Sequence, residues 1–120
     1  MNHTYTRGEM YHAYLGQGSG SEQSGTRPVL IIQNDVGNKH SPTVIVAAVT
    51  NRNNSKPKLP THYYLGAENG LKVPSVVLLE QIRTIDKKRL NCYIGKLEEK
   101  HIRGINRALA VSIGLTESIL

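Results

Sequence analysis

A mainly β fold, a small and mostly antiparallel sheet or barrel closed by one C-terminal helix, is predicted by three features of this 120-residue chain. Short apolar runs alternate with Gly, Pro, Asn and Asp along the first three quarters of the sequence. One of them, TVIVAAVT, is rich in β-branched residues, which fit a pleated surface. After Glu98 the apolar spacing changes to steps of three and four, the period of a helix.

The elements follow in order. Glu9 to Leu15 mixes aromatic, apolar and polar residues as a first strand does. A Gly/Ser-rich loop at 16–25 leads to Val29–Gln33, a continuous apolar run suited to a strand buried on both faces. A connection of that length is often functional. The stretch NDVGNKHSP reads as turn punctuation before Thr43–Thr50, a central strand. NRNNSKPKLP reads as a basic mobile loop, followed by a short strand at His62–Leu65. After GAENG, SVVLLEQIRTI begins with a run that looks buried, and LNCYIGKL adds an edge strand, for five or six strands in all. In the helix, Ile102, Ile105, Leu109 and Ile113 form the apolar face, with Lys100, Arg103 and Arg107 between them. Glu98 and Glu99 suit the positive end of its dipole. Gly104 opposes the helix by ~1 kcal/mol relative to alanine.

The length fits one domain over residues 1–120, and 38% hydrophobic residues suffice for a modest core. Fifteen Lys and Arg against nine Asp and Glu give a net charge of +6, which suits an anionic partner such as nucleic acid, or simply a basic surface. The single cysteine, Cys92, excludes an intrachain disulfide and a cysteine-based zinc site, and is expected as a small core residue. No apolar stretch approaches a membrane span, and MNHTYTRGEM lacks a signal-peptide run, so a cytoplasmic protein is expected. With no Phe or Trp, stacking on bases falls to six tyrosines and to arginine planes.

Arg27 precedes Pro28, whose ring pushes it into an extended conformation and so restrains the direction of its side chain. A guanidinium offers paired donors to phosphate oxygens and stays charged, which suits a dianionic transition state. Taken alone, such a residue is more often a solvated strand-end arginine. Thr50 ends its strand beside a polar loop, where a hydroxyl can donate to phosphate or cap a turn. The spacing does not bring the two together. His3, His12, His40, His62 and His101 are scattered, without HxH or HExxH spacing, and are expected as ordinary surface or half-buried residues. Glu22, Asp35 and Glu80 lack a paired-ligand pattern, and GQGSGSEQSG matches neither a Walker loop nor a dinucleotide fingerprint. No metal site or cofactor is expected. Arg52, Lys56 and Lys58, and then Arg83, Lys87, Lys88 and Arg89, are the basic groups best suited to phosphate contacts.

In order and spacing, RGEMYHAYL, GSEQSGTRPVLIIQND, SPTVIVAAVTN, KLPTHYYL and SVVLLEQIRTIDKKRL resemble the MazF/PemK toxins of bacterial toxin–antitoxin systems, and most of all the Gram-positive MazF type. The resemblance runs from about residue 7 to residue 113. It implies an SH3-like barrel with a C-terminal helix, a homodimer, and a metal-independent endoribonuclease that cuts single-stranded mRNA at a short sequence. The family's catalytic arginine falls on Arg27 and its catalytic threonine on Thr50. Ser21, Glu22, Gln23 and Gln81 fall on positions expected to line the RNA groove. An acidic MazE-like antitoxin is the implied protein partner, its tail displacing or blocking the loop over the groove. Departures lie in GQGSG, NRNNSKPK and GAENGLKVP, and bear on which bases are read. The alternative on the same fold is a non-catalytic binder, a CcdB-like gyrase poison or a nucleic-acid-binding module.

Overall fold

The computed structural model describes residues 3–54 and 58–116. Six strands form one antiparallel sheet: β1 (Glu9–Tyr14), β2 (Thr26–Ile31), β3 (Thr43–Asn51), β4 (His62–Leu65), β5 (Ser75–Asp86) and β6 (Leu90–Lys96), in the order β4-β5-β3-β2-β1-β6. Helix α1 (Asp35–His40) lies between β2 and β3, and α2 (Glu99–Ser112) follows β6. A mainly β architecture with a C-terminal helix is thus the observed fold class.

The apolar runs are continuous because alternate side chains enter two different cores. Met10, Leu30, Ala47, Val49 and Val77 pack on one side with Ile105 and Ala108 of α2. Tyr11, Ala13, Val29, Ile31, Val44 and Val46 pack on the other, where Ile85 of β5 meets Leu90 of β6. Three strands separate β5 from β6 in the sheet, so their meeting requires it to curl on itself. Two glycines seal the curl. A Cβ on Gly70 would lie 1.8 Å from the Ile94 carbonyl oxygen, and one on Gly95 would lie 1.8 Å from that of Asn69. Only bare backbone lets the β4–β5 connection lie this close to β6.

Four expectations need correction. NDVGNKHSP contains α1, because the Asn34 side chain accepts from the Gly37 N–H at its start, Asp35 sits in the first turn, and Lys39 and His40 sit in the last. Cys92 is exposed, since it lies on the edge strand β6 and not in the core. Ile113 is the C-cap of α2 and is exposed, so the buried stripe of the helix is Ile105 with Ala108, flanked by half-buried Ile102 and Leu109. His62 is buried, its Nε2 lying 2.9 Å from Glu80 Oε2. Lys56 lies outside the described residues. Among the described residues no helix is long and apolar enough to cross a membrane.

Gly104 has a reason that helix propensity misses. A Cβ there would come within 2.0 Å of the Tyr63 ring, which is held by a 2.8 Å hydrogen bond between its hydroxyl and His101 Nδ1. The glycine lets α2 lie flat on β4.

Candidate RNA-cleaving site

Strand β2 meets β3 with Val29 opposite Ala48, Leu30 opposite Ala47 and Ile31 opposite Val46. Extending that register by two residues sets Arg27 opposite Thr50, and residues directly opposite in an antiparallel pair share a face. Sequence spacing left the two apart; strand pairing brings them together. They line one hollow of about 340 Å³, with His12, Asn51, Lys72 and Ser75 also on its wall. Thr50 is buried and Arg27 half-buried. The Arg27 Nε donates to the Ser24 carbonyl at 3.1 Å, which ties the guanidinium to the β1–β2 loop.

Ser21, Glu22, Gln23 and Gln81 line a different hollow of about 490 Å³, together with Glu80 and Arg83. Ala48 contributes to its wall. By the alternation of β3, Ala48 and Thr50 share a face, so that face runs from this hollow to the Arg27–Thr50 pair. The candidate residues therefore fall into two adjoining groups.

The β1–β2 loop has structure of its own. Leu15 N–H donates to the Gly25 carbonyl at 2.8 Å and Gly25 N–H to the Gly16 carbonyl at 2.7 Å, closing the base of the loop. Near its tip, the Glu22 carboxylate accepts the Ser19 N–H at 2.6 Å, while the Glu22 N–H donates to the Ser19 carbonyl at 3.2 Å. Gly18 is required there, because a Cβ would fall 2.7 Å from the Glu22 carbonyl oxygen.

Across the sheet, β5 carries a bulge. Ala47 and Ala48 of β3 pair with Ile82 and Leu78, which leaves Leu79, Glu80 and Gln81 without partners on that strand. The Glu80–His62 pair and the place of Lys72 and Ser75 were missed in the sequence: Glu80 lies in the bulge, Lys72 in the β4–β5 connection, and Ser75 opposite Asn51 in the β3–β5 register. His12 was seen; it pairs with Pro28, the neighbour of Arg27 in β2, and lines the same hollow.

Among the described residues, Glu68, Glu98 and His101 could reach one metal ion; they lie on the helix side, with no residue in either hollow. His101 Nε2 is 2.9 Å from Glu68 Oε1, an ion pair when the ring is protonated.

Residues 6–113 match the family model for PemK-like, MazF-like toxins of type II toxin–antitoxin systems. A protein of Staphylococcus saprophyticus described as endoribonuclease MazF is 53% identical over 110 residues, covering 91% of each chain. A mycobacterial structure, an endoribonuclease in complex with its cognate antitoxin, is 27% identical with a TM-score of 0.78, over 95% of this chain and 99% of that one. MazF from Deinococcus radiodurans has a TM-score of 0.78 at 22% identity, over 94% of this chain and 99% of that one, a likeness of fold. A family match over almost all of the chain, joined to a relative identical at more than half of its aligned positions, places this protein in the PemK-like, MazF-like toxin family.

Proposed function

We propose that the chain is an endoribonuclease toxin of a type II toxin–antitoxin system that cuts single-stranded mRNA at a short sequence, with Arg27 and Thr50 as the catalytic pair. The observation that carries the reading is the β2–β3 register, which sets a guanidinium, a group suited to phosphate, across from a hydroxyl at the wall of one hollow. The adjoining hollow, bounded by Ser21, Glu22, Gln23 and Gln81, has the room and the polar groups to hold the flanking nucleotides.

The 2′-hydroxyl of RNA loses its proton and attacks the adjacent phosphorus, and the 5′ oxygen leaves and takes up a proton, giving a 2′,3′-cyclic phosphate and a 5′-hydroxyl. Negative charge builds on the phosphoryl oxygens in the transition state. Arg27 keeps its proton at any relevant pH, so it stabilises that charge and does not act as a base. The Thr50 hydroxyl donates to a phosphoryl oxygen and fixes its position. With the charge carried by a guanidinium, the step needs no metal ion. The net charge of +6 favours both RNA and an acidic antitoxin, the mycobacterial relative was solved with its cognate antitoxin, and the working unit is a homodimer.

Incubating the protein with a long mixed-sequence RNA in excess EDTA, and mapping new 5′ ends, tests the reading. Cuts at one short motif with 5′-hydroxyl ends are expected, with Arg27→Ala slower by ~10²–10³. Intact RNA with the unmutated protein would instead favour the non-catalytic toxin, with gyrase as its target.

A further inference from the structure

The bulge in β5 presents two polar side chains in opposite roles. Glu80 is anchored to the β4 side: its Oε1 accepts from the Thr61 hydroxyl at 2.8 Å and its Oε2 lies 2.9 Å from His62 Nε2. Gln81 reaches the β1–β2 loop. Its Oε1 accepts the Gln23 N–H at 2.8 Å and its Nε2 donates to the Ser21 carbonyl at 2.7 Å. One side-chain amide thus supplies both the donor and the acceptor that a neighbouring strand's backbone would, and the loop tip pairs with it as with a strand. The hydrogen bonds at Leu15, Ser19, Glu22 and Gly25 hold the loop to itself; Gln81 fixes it to the sheet over the larger hollow.

We infer that Gln81 is a positioning residue: it seats the Ser21–Gln23 turn where RNA will meet it, before RNA arrives. This rests on the reading of that hollow as the RNA site. A loop already in place costs nothing to order on binding, whereas a loop seated for only a fraction of the time weakens apparent affinity by that fraction. Gln81 therefore acts on RNA binding through the loop, in addition to any contact of its own with a base.

Gln81→Met, which keeps the length and removes both hydrogen bonds, tests this with two readouts. In the free protein, hydrogen exchange at the Gln23 amide is expected to rise about tenfold or more, with the unfolding midpoint nearly unchanged because Gln81 is half-exposed. On RNA, KM is expected to rise roughly tenfold while kcat changes by less than about twofold. Unchanged exchange at Gln23 would overturn the inference, and a risen KM beside it would make Gln81 an RNA contact only. A fall in kcat at constant KM would overturn it as well. The exchange readout needs no RNA, so failure of the unmutated protein to cleave would count against the nuclease reading and leave the seating of the loop to be judged separately.

Discussion

At the residue scale, Arg27 and Thr50 were legible in the sequence as residue types at strand–loop junctions, but the register that sets them opposite each other was not. Two strands must first pair in one register, and a slip of one residue would send Thr50 to the other face. Asp35 shows the same limit. It read as an isolated carboxylate, yet the Arg7 N–H donates to its Oδ1 at 2.7 Å and Asn38 Nδ2 donates at 3.1 Å. The backbone hydrogen bond from Arg7, then the side-chain hydrogen bond from Asn38, holds its carboxyl below the ordinary range. As pH falls, the unfolded chain therefore takes up this proton before the folded one does, so the stabilisation is present above about pH 4 and is lost below it. Asp35→Asn is expected to flatten that part of the stability curve, as read by urea unfolding between about pH 6 and about pH 3. Parallel curves for the two proteins would show that Asp35 carries no such linkage.

At the element scale, strands were read well where alternation and β-branched content agree, as at Thr43–Asn51, and poorly where a cap decides. Six residues are too few to show a helical period, so α1 depended on the Asn34 side chain and escaped notice. The bulge escaped for a different reason: Glu80 and Gln81 interrupt an apolar run without changing its strand character, and only pairing shows that β3 skips them. Gly104 looked like a cost and is a fit. Gly104→Ala is expected to destabilise the protein by about 1–3 kcal/mol through overpacking, despite the gain in helix propensity. Combined with Tyr63→Ala, which removes the ring that the new methyl would strike, it should add little further cost in a double-mutant cycle of chemical denaturation. A Gly104→Ala protein more stable than the parent would mean that α2 does not lie against Tyr63 as described.

At the scale of the whole molecule, the curl of the sheet helps to wall the hollow that Arg27 and Thr50 line. It brings the β4–β5 connection, with Gly70, against β6, and the same connection supplies Lys72 to the wall beside Arg27 and Thr50. Arg7 helps to close the other end, its Nε donating to the Ile32 carbonyl and its guanidinium to Asn106 of α2, each at 2.8 Å. Fold class was legible because the change from strand-like runs to helical spacing is a property of the chain itself, whereas closure depends on backbone contacts at Gly70 and Gly95 that no local pattern records. The central claim is that the β2–β3 register makes Arg27 and Thr50 one catalytic unit. It is tested most directly by single-turnover cleavage of a cut-site RNA in EDTA by Arg27→Ala, Thr50→Ala and the double variant. Each single variant is expected to lose ~10²–10³ in rate, and the double variant little more than the worse single one, because residues acting as a unit are non-additive. Cleavage by Arg27→Ala at the unmutated rate would contradict the account.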